Sequence, residues 1–458
     1  MKQSIETIHL YHTNDIHSHF ENWPRISQFL KERRTHHKVT GEACYVFDVG
    51  DHVDRSHPFT EGTEGKGNVI LLNEANYDAV TIGNNEGITM SKNALASLYD
   101  DAEFDVILAN LFDEDGSQPD WAVPYQIYTT DRGTKIGVIA ATAEYKEFYN
   151  KLGWKIKEPR TELKRIAEKL VEKTDILICL SHMGLPQDEL LAAECSAFNV
   201  IFGAHTHHLF EEGKLIGNTL LAATGKFGAF TGHVSIQMDT DAKEVVELSA
   251  EVYATDSLPV SEHVNQKIQL LMEAGIETME DPIFYNPTVM PKNLFGPSAL
   301  AEFFGEALLA HTGADCALFN SGIFLEDLNE GWVTKRDLHS MLPHPINPCK
   351  ITLTGAELEE IYKLSLNKEW PYIKIKGLGF RGDLMGAMLY EEIKMDKNGQ
   401  VFIGHHPIQV KKEYTLATLD MFTFGFFFPS LKHAEKEYYM PELIRDVVSS
   451  FGKRLVKE

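Results

Sequence analysis

The sequence predicts an α/β protein built from two folded units. Three observations carry that expectation. Up to about Thr255, short apolar runs that end in polar or glycine-rich residues alternate with longer amphipathic segments, which is the rhythm of strands and helices in an α/β fold. The pattern then gives way over residues 256–282 to a polar, helix-like stretch between Pro259 and Pro282, which reads as a linker. Finally, 458 residues are more than one hydrophobic core usually organises. The expected division is a first domain over 1–255, a linker over 256–282 and a smaller α/β domain over 283–458.

Taken in order, the apolar runs predict strands at 7–12, 44–48, 79–82, 106–109, 136–141, 176–180, 200–202 and 219–223. Each is short and bounded by turn formers. Residues 162–173 place Leu163, Ile166, Ala167 and Leu170 on one stripe, which predicts a surface helix. In the second domain, 300–309 reads as an apolar helix and 350–353 as a strand. Ligands of such sheets bind in the loops beyond the carboxyl ends of the strands. Here those loops carry the unusual residues.

Composition narrows the classes. Hydrophobic residues make up 43% and charged residues 24%, as in an ordinary globular protein. A net charge of −24 argues against a nucleic-acid polymer or an anionic membrane as partner, since both reward basic patches. A small anionic substrate would need local positive charge, which metal ions supply. The start, MKQSIETIHLYHTND, lacks a basic segment followed by an apolar stretch, and no run is long enough to span a bilayer; the expected location is cytoplasmic. The five cysteines are scattered without a CxxC pair, so buried reduced thiols are expected.

Five segments that follow apolar runs present metal-ligating side chains: Asp15 and His17 in HTNDIHSH, Asp51 in DVGDHVD, Asn84 in TIGNNE, His182 in CLSHMG, and His205 and His207 in FGAHTHH. A lone histidine or a Gly-Asp turn is ordinary. Their succession, each at a strand-to-loop boundary, is not. His12, His19 and His208 lie close to these motifs and read as supporting or surface residues. His36 and His37, in the charged segment KERRTHHK, are expected to be solvated.

The set resembles the calcineurin-like metallophosphoesterase superfamily, and within it the 5′-nucleotidase and UDP-sugar hydrolase family, over roughly residues 7–255. The resemblance implies a metallophosphatase β-sandwich flanked by helices, followed by a nucleotidase-type domain. It implies one divalent ion held by Asp15, His17, Asp51 and His207, and a second held by Asp51, Asn84, His182 and His205, with Asp51 bridging. Carboxylate oxygen with imidazole suits Mn, Zn, Fe or Co. Two ions about 3.5–4 Å apart clamp phosphoryl oxygens and acidify a water.

Two departures stand out. Where the family has GNHE, this chain has GNNE, so Asn85 replaces a histidine that assists the leaving group. Asn85 can still donate a hydrogen bond but carries no proton to transfer. His52, with Asp54 and His57 in the same loop, is a candidate for a relocated acid. In the second half, ALFNSGIF resembles a segment whose arginine is here Phe324, and the stretch from Pro345 to Tyr362 resembles the PFGN and LTG elements. The segment LATLDMFTFGFFFP takes the place of an aromatic, base-binding loop; Phe422, Phe424 and Phe426 would share one face of a strand, either as a stacking surface for substrate or as core.

The implied function is hydrolysis of a nucleotide or a related small phosphorylated metabolite. Alternatives are a phosphodiesterase or pyrophosphohydrolase for a cyclic nucleotide or nucleotide-sugar, and a low-turnover metal- and nucleotide-binding sensor or interaction protein.

Overall fold

The computed structural model describes residues 4–455; the first and last three residues of the expected domains lie outside them. The chain separates into two units, 1–275 and 276–458. The first is a sandwich of two six-stranded sheets. One runs in the order Glu244–Ala254, Phe230–Asp239, Ile5–Thr13, Ala43–Asp48, Ala79–Val80 and Asp105–Val106. The other runs Lys214–Ile216, Thr219–Ala222, Val200–Gly203, Ile176–His182, Lys135–Thr142 and Tyr125–Thr129.

Side-chain alternation explains how the layers close. In the first strand Ile8 and Leu10 turn inward, fully buried, and meet Ile178, Leu180, Val200 and Phe202 of the facing sheet. His9 and Tyr11 point the other way, beneath the helix Trp23–Thr40. The outer face of the second sheet is covered by the helix Pro159–Leu170, whose Leu163, Ile166, Ala167 and Leu170 pack on Ile139, Leu177, Cys179 and Ile201. Burying such apolar faces is worth roughly 25 cal/mol per Å² removed from water. Parallel pairing of Ile5–Thr13 with Ala43–Asp48, and of Ile176–His182 with its neighbours Lys135–Thr142 and Val200–Gly203, aligns their carboxyl ends. The metal-type residues follow those ends.

Two expectations need correction. The apolar runs at 79–82 and 106–109 pair as sheet only over Ala79–Val80 and Asp105–Val106. The second run leaves the first sheet after Ile107: the Leu108 amide donates to the Val123 carbonyl and the Ala109 amide to that of Ala140. The stretch expected as a helix-like linker holds the helix Glu262–Glu277, which lies on the first unit through a Lys267–Glu74 ion pair of 2.8 Å and a close approach of Gly275 to the Phe59 ring. The segment KERRTHHK is not a solvated loop, because it continues the helix Trp23–Thr40 and turns His37 inward.

The second unit has a five-stranded sheet in the order Met388–Glu391, Cys316–Asn320, Glu413–Leu419, Pro348–Thr354 and Glu435–Tyr438. The helix Ala299–Thr312 packs on it, capped by the Ser298 hydroxyl accepting from the Ala301 amide and stopped at Gly313 in the left-handed region. No helix among the described residues is long and apolar enough to cross a membrane.

Ile178 lies in mid-strand at the centre of the sandwich and is fully buried. Ile178→Ala is expected to destabilise the first unit by about 2–5 kcal/mol through lost burial and a residual cavity, seen as a lowered midpoint of its urea transition. A change under about 0.5 kcal/mol would contradict this packing.

Candidate metal centre

Backbone conformation places the candidate ligands. Asp15, His17, Asp51, His205 and His207 all have positive φ, between 50° and 72°, in a region that side chains with a Cβ rarely enter. Each such residue costs on the order of 1–3 kcal/mol and persists only where its surroundings over-determine it. The surroundings here are specific. The Asp15 amide donates to the Gly50 carbonyl and the His17 amide to the Asp51 carbonyl, tying the first loop to the second. Glu86 ties the second to the third: its carboxylate accepts from the amides of Asp51, Val53 and Gly83. A Cβ on Gly83 would stand 2.1 Å from Asp51 Oδ1, so only glycine permits this approach.

The side chains converge in two groups. One ligand atom each from Asp15, His17 and His207, and one each from Asp51, His182 and His205, lie within 4.8 Å of one another. In the first group His17 Nε2 and His207 Nε2 are 3.1 Å apart, and Asp15 Oδ1 is 3.7 and 3.5 Å from them. Ligands held about 2.0–2.2 Å from one ion are separated by roughly 3–3.6 Å, so these spacings fit. Asp51 Oδ2 is 3.6 Å from His17 Nε2 and 3.3 Å from His182 Nε2, within reach of both groups.

The hydrogen bonding leaves these positions open for a cation. His182 Nδ1 donates to the Val49 carbonyl at 2.8 Å, so Nε2 is the nitrogen that can lose its proton and offer a lone pair to a metal. That buried nitrogen has no hydrogen-bond partner, and neither does the buried Oδ1 of Asn84. Asn84 is flanked by two residues that touch Asp51: Gly83, and Asn85, whose amide donates to Asp51 Oδ1 at 2.7 Å. Buried polar atoms left without a hydrogen-bond partner beside a buried carboxylate loop are what a metal site presents. The donor set therefore fits divalent metal.

Behind His17 stand Asp54 Oδ2, 3.4 Å from Nδ1, and the Asn85 amide, 2.8 Å from the same atom. With Nε2 serving a metal, Nδ1 carries the proton and donates to these partners, so the amide turns its oxygen toward the ring. Asn85 thus supports a candidate ligand. Asn14 does the same for Asp15, donating at 2.8 Å to Oδ2 while its own oxygen accepts from the Thr224 amide and hydroxyl. Tyr145 places its hydroxyl 3.3 Å from His205 Nε2. Asn14 and Glu86 could have been noticed, since both belong to the HTND and GNNE segments; nothing in the sequence marks Tyr145.

The other candidates fall elsewhere. His52 is turned away into an apolar box, its ring against the edges of Trp23 and Phe20 with Asn68 on Nδ1, and burial pushes it down to about 3. A ring held neutral among aromatics does not serve as the relocated acid. His57 also packs on Phe20, and His12 lies in the core against Phe202. In the second unit, Phe422, Phe424 and Phe426 do not share a strand face, because Asp420–Phe422 is a 3₁₀ turn and a loop follows. Phe422 is fully buried against Phe427 and Phe428, so it cannot contact substrate. Phe424 and Phe426 are 39% and 73% exposed. Phe324 packs edge-on against Phe304 and Phe319, making that position part of the core.

Charge in the centre is set by burial against neighbouring carboxylates. For His17 burial opposes protonation, but Asp15, Asp54 and Asp51 outweigh it and raise the ring to about 10; for His182 the same contest, decided by Asp51, ends at about 9. Both values lie above an ordinary imidazole near 6.5. In metal-free protein these rings therefore contribute stability fully below about pH 6.5, and that contribution is lost as pH rises through about 9 and about 10. A metal must displace both protons. Metal affinity, read by competition with a chelator, should accordingly rise with pH from 6.5 to 10, by up to about tenfold per unit for each proton released. Affinity independent of pH over that range would exclude these rings as ligands.

Comparison with known proteins gives the family. A family model of calcineurin-like phosphoesterases matches residues 8–209, and one of the 5′-nucleotidase C-terminal domain matches 276–426. The metallophosphoesterase YunD of Bacillus subtilis (strain 168) is 39% identical over 459 aligned positions, covering 97% of this chain and 98% of that protein. In fold the chain resembles the NAD nucleotidase NadN of Haemophilus influenzae, with a TM-score of 0.68 and 16% identity over 99% and 97% of the two chains. It likewise resembles a 5′-nucleotidase precursor from Thermus thermophilus, with a TM-score of 0.59 and 17% identity over 98% and 96%. With both halves matched and a relative of this similarity along its length, the chain belongs to the calcineurin-like metallophosphoesterases of the 5′-nucleotidase family, enzymes that use divalent metal to hydrolyse phosphate esters.

Proposed function

We propose that the chain holds two divalent ions, of the Mn, Zn, Fe or Co type, through Asp15, His17, Asp51, Asn84, His182, His205 and His207, and hydrolyses a nucleotide or a related small phosphorylated metabolite. The observation that carries this reading is the placement of Asp51 Oδ2 within 3.3–3.6 Å of an imidazole nitrogen from each ligand group. When bound, such a pair of ions supplies Lewis acidity toward phosphoryl oxygens and a water acidic enough to ionise near neutral pH. The protein's part is to orient. The Val49 carbonyl fixes the His182 tautomer, and Asp54 with Asn85 fixes that of His17. Glu86 holds the Asp51 loop against the Asn84 turn.

Substrate chemistry follows from Asn85. With an amide in place of an acid, and His52 boxed in by aromatics, the leaving group departs without a proton from either residue. That favours a substrate whose leaving group is a stable anion, as in a nucleotide-sugar diphosphate, over a plain mononucleotide, whose ribose oxygen leaves as an alkoxide. The names of the fold relatives, both nucleotidases, support a nucleotide as the substrate class. In the second unit the exposed rings of Phe424 and Phe426 are the members of their segment able to meet a planar base.

The test is a substrate panel under saturating Mn²⁺. An aryl phosphodiester should be cleaved roughly 10²–10⁴ times faster than a 5′-mononucleotide, the usual worth of a general acid. Asn85→His should raise the mononucleotide rate and leave the aryl ester nearly unchanged. Asp51→Asn should lose on the order of a thousandfold on both. Tight nucleotide binding with no turnover of any substrate would instead identify a low-turnover binding protein.

A further inference from the structure

The strand Lys135–Thr142 bears none of the candidate ligands, yet its carboxyl end lies among them, because Thr142 pairs in register with His182. Three residues on, Tyr145 opens the short helix Lys146–Lys151. Its hydroxyl stands 3.3 Å from His205 Nε2, and the two rings meet edge to face with centroids 6.0 Å apart. Backbone bonds fix this placement: the Tyr145 amide donates to the Ala143 carbonyl, and the Tyr145 carbonyl accepts from the Tyr149 amide. Tyr149, one turn further, is fully buried, and its hydroxyl fills the space where a Cβ on Gly87 would stand. The short helix is thereby seated against Asn84–Thr89, the helix that begins at a candidate ligand.

Proton accounting leaves the hydrogen of the Tyr145 hydroxyl unclaimed. A phenol has one hydrogen to donate and keeps it at neutral pH. His205 has two ways to serve a metal. With Nε2 as the ligand, its lone pair is committed, and nothing on the ring accepts from Tyr145. With Nδ1 as the ligand, Nε2 carries the ring proton and donates it to the Tyr145 oxygen. In both cases the phenol hydrogen is free to turn to another acceptor. Among the described residues His205 is this hydroxyl's one hydrogen-bond partner, and Tyr145 is only partly buried, so a bound substrate can reach it.

We propose that the Tyr145 hydroxyl is a catalytic hydrogen-bond donor, directed at a non-bridging phosphoryl oxygen of the substrate in the candidate metal centre. The inference rests on the phosphoesterase reading above and adds to it a side chain that meets the anion directly. No proton is transferred, since the phenol keeps its hydrogen throughout. A neutral donor stabilises a phosphoryl oxygen without bringing another charge into the centre. The anchoring of its helix by Tyr149 sets the donor in position before substrate arrives, so little reorganisation accompanies the reaction.

The experiment measures the binding of inorganic phosphate by calorimetry to full-length protein under saturating Mn²⁺, together with metal per chain. Tyr145→Phe keeps the ring and removes only the hydroxyl. It should bind phosphate about 10- to 100-fold more weakly than wild type, the usual worth of a hydrogen bond to a charged partner, while holding as much metal. Its kcat/KM on an aryl phosphodiester should fall at least as far. Weakened metal binding with unaltered phosphate affinity under saturating Mn²⁺ would make the hydroxyl a support for His205 alone and overturn the inference. Phosphate and metal affinities both unaltered overturn it equally and leave the phosphoesterase reading standing. Wild-type protein that binds no phosphate under saturating Mn²⁺ removes that reading itself, and the inference with it.

Discussion

Two buried carboxylates, Asp15 and Asp51, stand side by side among the rings of His17, His182, His205 and His207, and much of the first unit is arranged to make that burial possible. Burying a carboxylate without compensation costs several kcal/mol. Compensation here is partly backbone: the Asn85 amide meets Asp51 Oδ1, and the His205 amide meets Asp15. The remainder comes from imidazoles held in fixed tautomers by groups behind them. The same demand accounts for the left-handed turns. A loop that must deliver a ligand and also donate its amides to the next loop has few backbone conformations to choose from, and Asp15, His17 and Asp51 occupy one that is otherwise disfavoured.

This arrangement was legible in the sequence to the extent that it is local. The candidate ligands stand at a strand's last residue, as His182 does, or within four residues beyond one, and strand ends are readable from apolar runs, so these segments could be placed at one edge of a sheet before any coordinates. What was not legible depends on chain that is remote in sequence. His37 lies in a charged stretch, yet Tyr11 and His9 of the first strand bury it. His52 follows a ligand directly, yet Trp23 and Asn68 take its ring the other way. The helix Glu262–Glu277 reads as polar because only a narrow stripe, Ile268 and Gly275 among it, is buried.

The two departures from the family pattern have different physical characters. At Asn85, where the resembled family has a titratable ring, an amide of similar reach contacts the His17 ring at 2.8 Å but has no proton to transfer. At Phe324 a cation is replaced by an aromatic ring that joins Phe304 and Phe319, so a polar contact surface is exchanged for packing. On the function proposed above, both changes would leave more to metal and to the leaving group.

The position of the first strand has a consequence for synthesis. Ile5–Thr13 lies inside its sheet, between Ala43–Asp48 and Phe230–Asp239, so one of its neighbours is made at once and the other more than two hundred residues later. At about 5–20 residues per second the ribosome needs roughly 10–50 s to supply that second neighbour. For this interval the growing chain carries an open, apolar strand edge of the kind that invites pairing with other chains. The loops at Asp15, Asp51 and Gly83 can meet early, but His205 and His207 are made 190 residues after Asp15 and His17, so the candidate centre is completed only when most of the first unit has left the exit tunnel.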